Sequence, residues 1–552
     1  MNLLNDPWLP FRTRDGAIDY RPPSAVADPE IVDLALPRAD FQGAAYQFLI
    51  GLLQTALPPQ DHGDWLDRFL EPPSVADLEA AFAPFSDAFE LDGDGPRFMQ
   101  DLDPLEGTDS SSVSGLLIDS PATHFVKPGT VDALCGKCSA LALFNIQANA
   151  PSGGRGHRVG LRGGGPLTTL VMPDHPEEKL WVRLWMNVTV SQKIIRPGQA
   201  WKKPSSDNAD LFFWMGPTRV SENKGSEIFP ENTHPLHPFW SMPRRFRLIF
   251  EAEGRYCDIC GEMESRTVRR IKSKNYGANY DGPWLHPLTP YRRDPKKPNE
   301  PPLSIKGQPD GLGYQHWSNL VLHDADGSGA LPALVVQDYV SEKVRIVDEE
   351  RRFGEEIAAL PKHVRLWVFG YDLEKMKPRG WYNVEMPLVA VPPAQQERLR
   401  AWVQQLTDLA RQVAWRVRTQ VKNAWFDRPS EAKGDMSHID LAFYDATQGA
   451  FFHALRNFQE ILSAADDASD LPSEVAERWY LTLKREGMAL FEEQALSGAL
   501  EAADLKRATA ARRQLQGFLA GRSKDSKVIR QFAEIGGFSL TAEPAATEET
   551  VS

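Results

Sequence analysis

The four cysteines of this 552-residue chain form two C-x-x-C pairs that lie far apart in the sequence. Cys135 and Cys138 lie in ALCGKCSALALFN, and Cys257 and Cys260 lie in RYCDICGEMES. Each pair puts two thiolates on one tight turn, and two such turns supply the four sulfurs of a closed tetrahedral zinc site. The sequence therefore predicts a structural zinc ion that joins two distant loops and leaves no coordination position for water.

Two other interpretations of these cysteines stay open. The four could be unrelated free thiols, or one pair could be a redox motif, which requires a neighbouring thioredoxin-like βαβ unit. No such unit is evident beside either pair, and every cysteine of the chain belongs to one of the two pairs. Gly261, directly after the second pair, favours the metal interpretation because the backbone has to bend around the ion.

The net charge is −13, from 62 basic and 75 acidic residues, which argues against a general nucleic-acid-binding protein. Charge acts locally, however, over about 10 Å at moderate salt. Basic residues cluster in SRTVRRIKSK (265–274) and YRRDPKKP (291–298). A protein with a net negative charge can therefore still bind phosphate at these basic segments. No apolar run is long enough for a membrane span and the N-terminus lacks a secretory pattern, which predicts a cytoplasmic protein without disulfides.

The pattern of apolar residues predicts an α+β protein in two parts. Residues 1–390 read as a mixed α/β domain with long loops, in which PLTTLVM, LWVRLWMNV, RRFRLIF and RLWVFGY are strands or short apolar segments. Beyond them, apolar residues recur at three-four spacing, as in Leu399, Trp402, Val403 and Leu406. The helical patterns cover 391–426, 437–465, 473–500 and 502–521.

Four amphipathic helices joined by short links predict a C-terminal four-helix bundle within 391–540. The tail 541–552 is poor in apolar residues and is predicted to be disordered.

The search for an enzyme active site yields no assembled catalytic set. The glycine-rich stretch APSGGRGHRVGLRGGGP (150–166) lacks the G-K-[ST] ending of a phosphate-binding loop, and no serine-hydrolase or zinc-protease motif is present. Two functions nevertheless stay open from the residues alone: a zinc-stabilised nucleic-acid-processing enzyme with an unrecognised site, and a scaffold that binds only protein.

Taken in order, the motifs resemble those of the CasA family, the large subunit of the type I-E CRISPR surveillance complex called Cascade. NLLNDPWLPFRTRDG resembles the family's opening, and LALPRADFQGAAYQFLIGLLQTALPP its first helical region. The most specific part of the resemblance is the run FVKPGTVDALCGKCSALALFNIQANAPSGGRGHRVGLRGGGPLTTLV (125–171), followed by CDICG and GPWLHPLTP. The resemblance covers nearly the whole chain, including the C-terminal helices.

The resemblance implies a non-catalytic subunit that reads the PAM in double-stranded DNA from the minor groove, while base pairing with the guide RNA reads the target. It implies that the chain helps to open the duplex for R-loop formation and recruits a helicase-nuclease. The implied partners are the other Cascade subunits, the 5′ end of the guide RNA, the target duplex and the displaced non-target strand.

Two PAM-reading elements follow from the resemblance. The first is the glycine loop Ser152, Gly153, Gly154, Arg155 and Gly156, whose backbone can approach base edges in a groove only about 6 Å wide. Arg155 stands where the family has glycine, which could add a phosphate contact or alter the PAM preference.

The second element is a minor-groove lysine in RRIKSKNYG, for which Lys274 is favoured over Lys272. A solvated basic face is the competing interpretation of this run.

Two further elements are also carried over by position. A wedge hairpin that parts the first base pair falls in GYDLEKMKPRG, around Glu374, Lys375 and Met376, with Lys375 where some relatives have glutamine. Met376 offers a long apolar side chain for the unstacked gap. A loop that docks on the guide RNA falls in THFVKPGTVDAL, where Phe125 would stack on a base and Lys127 would meet phosphate. Core packing is the alternative role for Phe125.

Overall fold

The computed structural model describes most of the chain. The described residues are 1–120, 129–149, 151, 153–154, 156–196, 198–297, 299–308, 311–323, 329–347, 363–374, 377–431, 433–464, 470–496 and 504–540. They form two compact units. The first consists of Met1–Gly307 and Asn319–Leu388, and the second of Gln308–Ser318 and the chain from Val389 onward.

The first unit contains the strands, most of them short. They are β1 Leu9–Thr13, β2 Ile18–Arg21, β3 Ile31–Leu34, β4 Ser110–Ser112, β5 Leu134–Cys135, β6 Thr168–Pro173, β7 Glu227–Ile228, β8 Arg245–Glu251, β9 Arg255–Tyr256, β10 Met263–Glu264, β11 Thr267–Lys274, β12 Asn279–Tyr280, β13 Tyr291–Arg292, β14 Leu303–Ser304, β15 Ala330–Leu331, β16 Val364–Glu374 and β17 Lys377–Leu388. Three-stranded sheets have the orders β2-β1-β3, β14-β13-β15 and β17-β16-β6. In a four-stranded antiparallel sheet, β11 pairs with β4, β5 and β8.

The helices of the first unit pack around a core rich in aromatic rings. They are α1 Ala39–Ala56, α2 His62–Leu70, α3 Val75–Phe82, α4 Gly136–Asn149, α5 Leu180–Trp185, α6 Ser191–Ile194, α7 Trp317–Val321 and α8 Leu334–Asp338, with α7 beginning in the second unit's segment. α1 is buried on nearly every side, as expected of a helix that is apolar all round. The ring of Phe48 on α1 meets those of Trp8, Phe98 and Trp240 edge to face.

The segment LWVRLWMNV is helical, whereas PLTTLVM, RRFRLIF and RLWVFGY form the strands β6, β8 and β16. All residues of α5 are buried. The pattern of buried and exposed positions that distinguishes a helix from a strand is therefore missing from this segment. Trp181 and Trp185 stack one helical turn apart, with ring centroids 5.0 Å apart.

The second unit is helical, so the predicted α+β class with a helical C-terminal region is confirmed. Its helices are α9 Gln396–Trp425, α10 Ser437–Ala464, α11 Ser473–Leu496, α12 Leu505–Leu519 and α13 Lys527–Ile535. The first four correspond to the predicted bundle helices, and α13 is a short addition. Within the described residues, no helix is long and apolar enough to cross a membrane.

Candidate nucleic-acid interface and metal site

The four cysteines meet in one cluster in the first unit. Their sulfur atoms all lie within 4.8 Å of one another, and the Cys135 and Cys260 sulfurs are 3.7 Å apart. Zn–S bonds of about 2.3 Å in a tetrahedron put sulfurs about 3.8 Å apart. Cys135, Cys138 and Cys257 are buried and Cys260 is half-buried. The cluster can therefore hold a metal ion with four thiolate ligands.

Local structure brings each pair to the cluster. Cys135 ends β5, and Cys138 lies in the first turn of α4, where its amide donates to the Cys135 sulfur at 3.3 Å. Cys257 and Cys260 lie between β9 and β10, on a turn closed by the Gly261 amide donating to the Cys257 carbonyl. Gly261 has a φ of +76°, a conformation that favours glycine.

Other contacts join the same two loops. The Asp258 carboxylate accepts hydrogen bonds from the amides of Asp132 and Ala133, at 2.7 and 2.8 Å. Lys137 pairs with Glu262 and Glu264. Hydrogen bonds among the four sulfurs lower the pKa of Cys257 and Cys260 and raise that of Cys135 and Cys138.

The described part of the glycine loop lies beside the end of β11. A pocket of about 130 Å³, here called the glycine-loop pocket, is lined by Gly156, His157, Arg158, Arg244 and Lys274, among others. The amide of Tyr276 donates to the Gly156 carbonyl at 2.8 Å and ties the loop to the turn after β11. Gly156 has a φ of +80°, and a Cβ there would lie 2.8 Å from the Cβ of Asn275, so the site requires glycine.

Arg244 holds the base of this loop. Its guanidinium donates to the carbonyls of Pro151 and Arg158, which flank the glycine loop on either side. Burial lowers the pKa of Arg244 to about 10. Its backbone amide donates to the side chain of Gln147 on α4. The arginine therefore connects the loop to the folded core through hydrogen bonds to main-chain atoms.

The two candidate lysines face different surroundings. Lys274 lines the glycine-loop pocket. Lys272 instead lines a separate open pocket of about 250 Å³, together with Arg97, Arg247 and Arg266. The structure thus brings Lys274 together with the glycine loop and does not do so for Lys272.

A long hairpin occupies the position predicted for the wedge. β16 and β17 pair antiparallel along their whole length, from Val364 opposite Leu388 to Glu374 opposite Lys377. Arg379 on β17 pairs with Asp372 on β16 at 2.7 Å. β16 also pairs with β6, the strand that follows the glycine-rich segment. The hairpin therefore belongs to the same sheet as β6.

Several predicted site residues lie outside the described residues. These are Phe125 and Lys127 of the RNA-docking loop, Ser152 and Arg155 of the glycine loop, and Lys375 and Met376 of the hairpin. Arg97, Arg244 and Arg247 are functional candidates that no sequence pattern predicted. The only signal for the last two was the basic start of the strand in PRRFRLIF, because Arg247 depends on a cross-strand neighbour and Arg244 on carbonyls distant in sequence.

Several solved structures of CRISPR-associated proteins are similar to this fold. CasA from Thermus thermophilus is 17% identical, with a TM-score of 0.65 over 94% of this chain and 99% of that chain. Cse1 from Acidimicrobium ferrooxidans is 18% identical, with a TM-score of 0.65 over 97% of this chain and 99% of that chain. A chain of a CRISPR RNA-guided surveillance complex is 14% identical, with a TM-score of 0.63 over 94% and 99% of the two chains.

The family model of the CRISPR-associated protein Cse1 matches residues 2–490. The chain therefore belongs to the Cse1 family.

Proposed function

We propose that this chain is the PAM-reading subunit of a CRISPR RNA-guided surveillance complex. The observation that carries the proposal is the glycine-loop pocket, where Gly156 and Lys274 line one cavity. A glycine backbone and a long cationic side chain suit the narrow minor groove, whose edges present acceptors shared by A·T and T·A pairs. Such a reader tolerates several PAM sequences, since the minor groove distinguishes base pairs poorly.

The partners follow from this assignment. The chain works in the cytoplasm with the other subunits, contacts the 5′ end of the guide RNA through Phe125 and Lys127, and recruits a helicase-nuclease after the duplex opens. The hairpin around Glu374, Lys375 and Met376 acts as the wedge. The helical unit contacts the displaced strand, although its Arg411 and Arg418 are already paired with Asp408 and Asp440.

The metal is zinc, bound by Cys135, Cys138, Cys257 and Cys260. Four thiolates suit Zn²⁺ and leave no open position for a reactive water, so the ion has a structural role. The subunit itself is non-catalytic. Incubating the chain with duplex DNA and Mg²⁺ or Mn²⁺ tests this statement, because cleavage that depends on the chain would contradict it and favour the nuclease alternative.

The decisive experiment is a PAM-library binding screen with the assembled complex and with the same complex lacking this chain. The complete complex is expected to enrich a restricted set of flanking sequences from the library. The complex without the chain is expected to lose that preference. Equal enrichment by both preparations would refute the proposed function.

A further inference from the structure

The β8–β11 pair carries two cross-strand pairs of like charge. Lys274 lies opposite Arg245 and Lys272 opposite Arg247. Like charges directly opposite each other on one sheet face destabilise the sheet. In the first pair, Arg245 is neutralised by Asp101 at 2.5 Å and Asp103 at 3.2 Å.

The second pair lacks such compensation. Arg247 donates to the main-chain carbonyl of Asp101 at 3.0 Å. Among the residues that the structure describes, no carboxylate lies within salt-bridge distance of Arg247 or Lys272. Burial, followed by the nearby positive charge of Arg97, lowers the pKa of Arg247, and the carboxylates of Asp101, Asp92 and Asp103 oppose this shift from beyond ion-pair distance. Within the described residues, the strand pair therefore holds two positive charges without a carboxylate in direct contact.

The pocket around this pair concentrates further positive charge. Arg97, Arg247, Arg266 and Lys272 line it, and we name these four residues the arginine pocket. Asp92 is the one acidic residue of the lining, so the lining has a surplus of three positive charges (four cations less one carboxylate). Asp92 pairs with Arg266 at 2.7 Å and with Arg97 at 3.6 Å, so the one carboxylate of the lining is already engaged by two of its four cations.

We propose that the arginine pocket binds a backbone phosphate of duplex DNA, separately from the glycine-loop pocket. Guanidinium groups match phosphate oxygens in geometry and charge, and a bound anion relieves the repulsion between Arg247 and Lys272. Lys272 and Lys274 are two residues apart on one strand, about 7 Å, so a duplex at Lys274 brings its backbone to Lys272. The choice of duplex DNA as the source of the phosphate rests on the proposed function.

The test measures binding of fluorescein-labelled duplexes to the assembled complex over a range of salt concentrations. Lys272→Gln, Arg247→Gln and the double variant are compared with Arg270→Gln. Arg270 lies on the same strand and is already paired with Glu251 at 3.1 Å, which makes it a matched control. The double variant is expected to bind about 3- to 10-fold more weakly, with a salt slope shallower by about one to two.

This loss is expected to be equal on good-PAM and poor-PAM duplexes, because phosphate contacts carry no sequence information. The melting temperature of the double variant should equal or exceed that of the wild type, because removing the charges of a repelling pair does not weaken the sheet. A methylphosphonate at the contacted position should weaken wild-type binding and leave the double variant unaffected.

An unchanged salt slope, or a loss no larger than that of Arg270→Gln, would overturn the proposal. A loss confined to binding of guide RNA would also overturn it and assign the pocket to RNA. A different result would refute the proposed function and leave the phosphate site intact. If Lys274→Ala weakens binding equally on every PAM while the double variant flattens the salt slope, the base reader is wrong and the phosphate site stands.

Discussion

At the scale of single residues, Lys274 and Lys272 show how two similar side chains on one strand acquire different surroundings. Lys274 ends β11 beside Gly156, whereas Lys272 lies opposite Arg247 among other cations. A lysine beside the glycine loop can donate to base edges. A lysine within a cationic cluster is suited to the phosphate backbone. These surroundings favour Lys274 as the base-reading lysine.

Replacing Lys274 by alanine should weaken binding of the complex to good-PAM duplexes by about 1–3 kcal/mol, the scale of one lost base contact. The loss should be smaller on poor-PAM duplexes, where the contact is largely absent. Kd values on both duplexes at two salt concentrations measure the difference, with the exposed Lys224→Ala as the control. Equal losses on both duplexes would remove Lys274 from the reading site.

Arg244 is a positioning residue because it contacts the loop and lines the same pocket without being the proposed base reader. Arg244→Gln should weaken good-PAM binding by about 1–2 kcal/mol, since a loosened loop loses backbone entropy when it binds. Faster hydrogen exchange of the amides from Gly153 to Gly156 is expected in the same variant. A general loss of stability would instead lower the melting temperature and affect good and poor PAMs alike.

At the scale of elements, β11 organises the candidate site. It pairs with β5, which carries Cys135, and with β8, which carries Arg245 and Arg247. It ends at Lys274 beside the glycine-loop pocket. The cysteine cluster, the arginine pocket and the glycine-loop pocket are therefore spaced along one strand, so an ion bound by the cysteines would fix the strand from which both pockets are built.

Metal analysis of the purified chain should find one zinc per molecule. Cys135→Ser should lower this ratio and weaken assembly of the complex more than it affects melting of the helical unit, because Cys135 lies on β5 beside β11. In the wild type, the four thiols should resist alkylation until a chelator is added. A zinc content near zero with all four thiols reactive under native conditions would contradict the prediction.

The hairpin gives a second prediction at this scale. Lys375→Ala should leave initial duplex binding unchanged but slow strand opening, and a target with a pre-opened bubble should restore the rate. Lys377→Ala, in the first residue of β17, is the matched control. Stopped-flow fluorescence of a base analogue beside the PAM follows the opening. If the bubble fails to rescue Lys375→Ala, the tip does not act as a wedge.

Sequence patterns predicted those parts of the molecule whose signal is local. The C-x-x-C spacing predicted the cysteine cluster, and the three-four spacing of Leu399, Trp402 and Leu406 predicted the bundle helix α9. Lys272 lies opposite Arg247 because of the register between β8 and β11, and no local sequence pattern specifies this register. The same is true of Arg244, whose acceptors are main-chain carbonyls distant in sequence.

At the scale of the whole molecule, the helical unit takes in a segment from far upstream. Gln308–Ser318 belongs to this unit, and its Tyr314 is fully buried there. The Tyr314 ring stacks on Phe451 at 4.4 Å and meets Trp479 edge to face at 5.7 Å. Its hydroxyl is 2.9 Å from that of Thr447. The bundle core thus includes a residue that no helix of the bundle supplies.

The fragment 389–540 should fold alone, because α9 to α12 bury their apolar faces against one another, but it should be less stable than a fragment to which 308–318 is fused. Removing a large buried aromatic ring costs about 3–5 kcal/mol, so Tyr314→Ala in the fused fragment should reproduce most of the difference. Tyr314→Phe is the matched control, since it keeps the ring and loses only the hydrogen bond to Thr447, about 1 kcal/mol. Urea unfolding followed by circular dichroism measures the free energy of unfolding of all four proteins.

A non-cooperative transition of the 389–540 fragment would show that the helices do not form an independent unit. Equal stability with and without 308–318 would show that Tyr314 fills no essential space in the core.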